Sequence, residues 1–131
     1  MEESLREKIV AYYTLQARLD SINKQQNFIV SKISEILSTI SSLEELGKSE
    51  KTIFSLGSGI RVMGKIEEKN KFLVEIGAGI ILEKNLNESK RILEKRKDEL
   101  EKILEELQKE KNEIYSQMQK LLPEIRKLIG D

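Results

Sequence analysis

The sequence predicts an α+β fold, mainly α: a long antiparallel two-helix coiled coil with two central β-hairpins that join an intersubunit β-barrel. Three observations predict it. Apolar residues recur every seven positions along two long stretches. A short glycine-punctuated segment with a two-residue period separates them. The strands of that segment are apolar on both faces, so a single chain cannot cover them.

The N-terminal coiled-coil helix occupies residues 1–46. Leu5, Tyr12, Leu19, Ile33 and Ile40 fall on one heptad series, and Leu15, Ile22, Ile29, Ile36 and Leu43 follow three residues after theirs. Ser4 with Glu7 forms a capping-box signature near its start. At the seam positions only Lys8 and Gln26 are polar, and a polar seam residue sets register or partner choice. A helix of this size is roughly 60 Å long, so its one apolar stripe needs one long partner. Gly47 is placed to end it as the left-handed C′ residue.

A polar connector, Gly47-Lys48-Ser49-Glu50-Lys51, leads into the β segment, residues 52–83. Residues 52–56, 60–66, 72–76 and 80–83 read as strands, punctuated by Gly57-Ser58-Gly59 and Gly77-Ala78-Gly79. Ile60, Val62, Gly64 and Ile66 share one face of the second strand, and Phe72, Val74 and Ile76 one face of the third. Two serial hairpins are the first reading, 52–56 with 60–66 and 72–76 with 80–83. Pairing of 60–66 with 72–76 across the charged turn at 67–71 is the alternative.

The C-terminal coiled-coil helix occupies residues 86–129, capped by Asn85 with Glu88, or by Asn87. Leu86, Leu93, Leu100, Leu107, Ile114, Leu121 and Leu128 recur without a break. The accompanying series, Lys90, Lys97, Leu104, Lys111, Met118 and Ile125, is polar at first and apolar later. The seam is therefore expected to widen toward the C-terminus. Pro123 is expected to end or bend the helix, leaving 124–129 as a final turn.

Composition excludes several functions. Among 131 residues, 23 basic side chains balance 23 acidic ones, so no global field attracts nucleic acid or an anionic membrane. Arg91, Lys95, Arg96 and Lys97 cluster, but Glu88, Glu94, Asp98 and Glu99 interleave with them. Without cysteine or histidine there is no disulfide framework and no common general base or metal ligand. Neither Gly-x-Gly segment continues as a dinucleotide or Walker motif. Both lead into strands and read as tight turns. The carboxylate pairs, such as Glu67-Glu68 and Glu105-Glu106, lie in charge-compensated settings that raise no pKa for acid catalysis. No enzyme, cofactor or metal site is expected. Without a membrane span or a secretory signal, a soluble cytoplasmic protein is the expectation.

Two surfaces remain. Unpaired hairpin edges would aggregate, and closure of a barrel with hairpins of other subunits removes them. The assembly residues are Ile53, Phe54, Leu56, Ile60, Val62, Ile66, Phe72, Val74, Ile76, Ile80, Ile81 and Leu82. In an antiparallel coil the two chain ends lie together. Met1, Leu5, Ile9, Val10, Tyr12 and Tyr13 then meet Met118, Leu121, Leu122, Ile125, Leu128 and Ile129. Ile9, Val10, Tyr13, Leu122 and Ile129 exceed what a seam needs. Either they pack the coil end against fraying, or they present an apolar patch to another protein.

The middle segment resembles the prefoldin family, most closely its archaeal α-type subunit. The resemblance rests on Ser55-Leu56-Gly57-Ser58-Gly59, Arg61-Val62-Met63-Gly64-Lys65-Ile66, and the run from Phe72 through Gly77-Ala78-Gly79 to Glu83-Lys84. Two hairpins mark the α type, where β-type subunits carry one. Ser55 stands where relatives often have proline. The resemblance implies a hexamer of two α-type and four β-type subunits, an α2β4 assembly on a double β-barrel base. It implies an ATP-independent holding chaperone that binds unfolded client proteins at the coiled-coil tips, prevents their aggregation and passes them to a group II chaperonin. By position, the terminal apolar residues above are the client-binding ones. The alternative is a structural or filament-forming coiled-coil adaptor without client binding.

Overall fold

The computed structural model describes residues 2–48 and 50–130. Met1 of the terminal apolar group and Ser49 of the connector lie outside the described residues. The element order is α1 (Glu2–Leu46), β1 (Thr52–Gly57), β2 (Ile60–Gly64), β3 (Phe72–Gly77), β4 (Ile80–Lys84) and α2 (Leu86–Ile129). The chain divides into two compact units, one reaching Lys32 and resuming at Glu99, the other spanning Ile33–Asp98.

The first unit pairs the N-terminal part of α1 with the C-terminal part of α2. Ion pairs fix the antiparallel direction: Lys8 meets Glu124 at 3.0 Å, and Arg18 meets Glu110 at 2.7 Å. The core is the heptad seam itself. Leu19, Ile22 and Ile29 are buried with Leu107 and Ile114, all of them residues of the predicted series. Removing side chains of this size from water contributes roughly 1.5–3 kcal/mol each. The polar seam residue Gln26 is bonded across the pair. Its amide donates to Gln108 at 3.2 Å, and Lys111 donates to its oxygen at 3.3 Å. A polar layer of this kind favours one register over its neighbours.

The N-terminal cap expected of the first helix is corrected by the structure. α1 begins at Glu2, so Ser4 is inside the helix and the Ser4–Glu7 box is not its cap. Glu2 and Glu3 occupy the first turn instead, where negative charge suits the helix dipole. α2 runs from Leu86 through Pro123 to Ile129, so residues 124–129 continue the helix. A proline costs the helix one hydrogen bond and a clash. Leu121, Ile125 and Leu128 are half-buried on either side of it, so side-chain packing there carries the helix past the break.

The second unit holds both hairpins. β1 pairs antiparallel with β2, and β3 with β4, as two separate two-stranded sheets. Serial pairing is thus the arrangement, and among the described residues the crossed alternative is absent. The hairpins are repeats of each other at an offset of 20 residues: Thr52↔Gly64 corresponds to Phe72↔Lys84, and Phe54↔Val62 to Val74↔Leu82. Each also carries a register irregularity in the residues before its turn, between Ser55 and Gly57 and between Glu75 and Gly77. The turns match as well. Ser58 and Gly59 have φ of 52° and 81°, and Ala78 and Gly79 have 50° and 76°. Two successive left-handed residues make the type I′ turn, whose twist suits antiparallel strands.

β2 ends at Gly64, short of the expected Ile66, because its partner strand begins only at Thr52. Phe54 lies over Gly64, whose missing side chain gives the ring room: an added Cβ would come within 3.0 Å of it. α2 starts as expected, with the Asn85 side chain accepting from the Glu88 amide at 2.8 Å. Asn70 accepts from the Leu86 amide at 3.1 Å. Gly47 does follow the last residue of α1, but it lacks the left-handed φ of a C′ glycine. The Lys48 amide bonds the Glu45 carbonyl at 3.0 Å, and this tighter turn needs no left-handed residue.

Candidate functional surfaces

Two apolar surfaces are on view, one in each unit. In the first unit the seam absorbs part of the terminal apolar set. Leu5, Ile9, Tyr12, Met118, Leu121, Ile125 and Leu128 are half-buried. Val10, Tyr13, Leu122 and Ile129 are exposed, with Tyr13 at 64%, Val10 at 58% and Ile129 at 57%. Of the five residues judged surplus to the seam, only Ile9 is partly covered. Tyr12 and Tyr13 meet edge to face, centroids 6.1 Å apart, which orients the exposed ring.

The surface extends further than the sequence reading placed it. Tyr115 is exposed and lies seven residues before Leu122, itself seven before Ile129. These three form a stripe along α2 beside the seam. Phe28, Val30 and Ile103 are also exposed in this unit. A second periodic series flanking the first was the available signal. Lys32 rests 5.6 Å from the Phe28 ring centroid.

The opposite character appears where the helices exchange charge. The Arg18 guanidinium donates twice to Glu110, both at 2.7 Å. That hydrogen bonding holds the Glu110 carboxyl below its ordinary value of 4.5 and raises Arg18. In the second unit Lys90 meets Glu44 at 2.8 Å, lowering Glu44 and raising Lys90 through the same cause. Such solvent-exposed pairs orient helices more than they stabilise them.

The hairpin surface of the second unit is apolar on both faces. Register puts Phe54 and Val62 on one face of the first hairpin and Ile53 and Met63 on the other. In the second hairpin Val74 and Leu82 share one face, Leu73 and Ile81 the other. Ile53, Phe54, Leu56, Ile60, Val62, Ile76, Ile80, Ile81 and Leu82 are all exposed. Ile66, Phe72 and Val74 are half-buried instead. Leu73 and Met63, at 74% and 69% exposure, were missing from the expected assembly set because only one face of their strands was followed there. Leu37 of α1 is exposed in this unit too.

The second unit buries no apolar side chain fully among the described residues; its buried residue is Ser89, 2% exposed, whose hydroxyl lacks a hydrogen-bond partner. Among the described residues, no three His, Cys, Asp or Glu are grouped to hold a metal, and no helix is long and apolar enough to cross a membrane.

Comparison with known proteins agrees with this geometry. A family model described as prefoldin subunit matches residues 10–131. Prefoldin subunit alpha of Methanococcus maripaludis strain S2 is 29% identical over 88 residues, covering 67% of this chain and 61% of the relative. Prefoldin subunit alpha 1 of Methanocaldococcus jannaschii is 31% identical over 88 residues with the same coverages. Prefoldin subunit alpha of Methanococcoides burtonii is 30% identical over 91 residues, covering 67% and 66%. The match thus spans less than two thirds of these relatives' lengths. A chain from the cryo-EM structure of filamentous PFD from Methanocaldococcus jannaschii is similar in fold, with TM-score 0.64 and 20% identity, over 95% of this chain and 99% of that one.

Proposed function

The chain belongs to the prefoldin family as an α-type subunit, and on that premise we propose that it is part of an ATP-independent holding chaperone. Its hairpins assemble with β-type subunits into an α2β4 hexamer in the cytoplasm. Its terminal apolar residues bind unfolded proteins, and the complex transfers them to a group II chaperonin. The observation that carries this reading is the exposure of Val10, Tyr13, Leu122 and Ile129 beside a seam already filled by Leu19, Ile22, Leu107 and Ile114. A seam residue stabilises its own helix pair. An exposed large side chain next to it leaves apolar surface uncovered and suits a foreign apolar segment.

Holding needs no catalytic group. A binder of the unfolded state lowers its free concentration and so opposes aggregation by mass action. Several weak patches on one assembly add avidity through effective concentration. Aliphatic and aromatic side chains without fixed polar partners tolerate varied sequences.

Removing residues 1–10 and 124–131 tests this. The reading expects an assembly of unchanged mass that no longer suppresses client aggregation. Unchanged suppression would sink the terminal assignment. A second reading is a structural, filament-forming subunit without client binding, favoured by the fold similarity to a filamentous PFD chain. It expects full-length protein that assembles yet leaves client aggregation untouched.

A further inference from the structure

We propose that Asn70 and Arg96 are positioning residues that fix the direction in which α2 leaves the second hairpin. This deepens the assembly reading above and rests on it for its use: a hairpin held in an assembly then holds its helices at one angle. All the groups involved lie in the hairpin unit, which ends at Asp98.

The start of a helix leaves backbone amides without partners inside the helix. Two asparagines meet that need here. Asn85 accepts from the Glu88 amide and is the local cap. Asn70 accepts from the Leu86 amide at 3.1 Å, across 16 residues of chain. The turn before β3 is thereby tied to the first residue of α2. A second tie lies further along the helix. The Arg96 guanidinium donates to the Glu75 carbonyl of β3, a charge-assisted bond.

One tie is a pivot, and two define a line. Leu86 and Arg96 are about 15 Å apart along the helix rise. Asn70 and Glu75 are about 16 Å apart as extended chain. The spans match, so both ties suit a β3 running alongside the first turns of α2. Exposure agrees. Phe72 and Val74 of β3 are half-buried, while Phe54, the equivalent of Val74 in the first hairpin, is exposed. Lys90 lies between the two ties and meets Glu44 at 2.8 Å, so the same turns of α2 hold the end of α1.

The test uses the full chain, which lacks cysteine and so takes spin labels at chosen sites. Labels on Ala78→Cys and Arg91→Cys read the hairpin turn against α2. The distance distribution should become about twofold wider when Asn70→Ala and Arg96→Leu are combined. Arg96→Lys alone keeps a donor and should stay close to the parent. Helical signal and amide protection across the β3–β4 ladder should not change, because the ties aim the hairpin and do not build it. Lost protection, or an unchanged distribution, overturns the proposal. Mixed with a β-type subunit, the combined variant should assemble at the parent's mass. Single labels on Asp98→Cys should then show a wider spread between copies. An equal spread overturns the proposal and leaves the assembly reading intact. A parent that does not assemble overturns the assembly reading, and the distances in the chain alone still decide the ties.

Discussion

The two units differ in where their apolar residues go. The terminal unit closes a seam of its own, with Leu19, Ile22, Ile29, Leu107 and Ile114 buried. The hairpin unit leaves Ile53, Leu56, Ile60, Met63, Leu73 and Ile81 exposed and, among the described residues, buries only Ser89, whose hydroxyl lacks a partner. Both are rich in Ile and Leu, so composition does not separate them. Period does. A seven-residue repeat puts apolar groups on one side of a helix, where a second helix covers them. Strands with apolar residues at successive positions expose both faces, and a hairpin alone is marginal in water. One unit covers an apolar core of its own, and the other has the form of half an interface.

Substitutions should divide along the same line. The largest loss of intrinsic stability belongs to the terminal unit. Ile22 is fully buried, and Ile22→Ala should cost about 2–5 kcal/mol, seen as a lower midpoint in thermal unfolding followed by circular dichroism. A matching truncation in the hairpins, Leu73→Ala, should barely move that midpoint in the dissociated chain.

Next in size are the turns. Gly59 has φ of 81°, and Gly59→Ala should cost about 1–2 kcal/mol of hairpin stability, measured by amide exchange in β1 and β2. Gly47→Ala is the control. The added Cβ would meet only the Glu44 carbonyl at 3.7 Å, and the glycine needs no left-handed backbone. It should be neutral or slightly stabilising. Equal losses at both positions would erase the distinction between a turn that needs glycine and one that does not.

The smallest effect is electrostatic. Glu110 is held below its ordinary value by Arg18, so its contribution is present above that value and fades as pH falls through the lowered one. Wild type should lose part of its helix pairing as pH drops below about 4.5, and Glu110→Gln should flatten that part of the pH profile. An identical profile for the variant would remove the ion pair from the account.

The sequence made the coil and the hairpins legible because periods of seven and two survive any detail of packing. Asn85 was readable as a cap because its chemistry is local, and its bond to Glu88 is present at 2.8 Å. Tertiary packing escaped it. Pro123 reads as a stop or a bend, and the half-buried residues around it carry the helix to Ile129. Gly47 reads as a left-handed cap, yet the connector leaves through a tighter turn. Among the surface residues, Val10, Tyr13, Leu122 and Ile129 stood out as surplus to the seam. Tyr115, Leu73 and Met63 did not, because each lies on a second face that a single periodic series passes over. The 20-residue offset between hairpins shows in the sequence only where Gly57-x-Gly59-Ile60 recurs as Gly77-x-Gly79-Ile80, and is plain in the shared register and turn angles.

The hairpin unit of one chain leaves its apolar strands uncovered. Light scattering on wild type and Ile80→Asp, mixed with a β-type prefoldin subunit, tests that most directly, with helicity read in parallel. The expected result is a defined oligomer for wild type and a smaller species for Ile80→Asp, with helical signal largely retained in both. An oligomer of unchanged mass in the variant, or a wild-type monomer with intact strands, would contradict it.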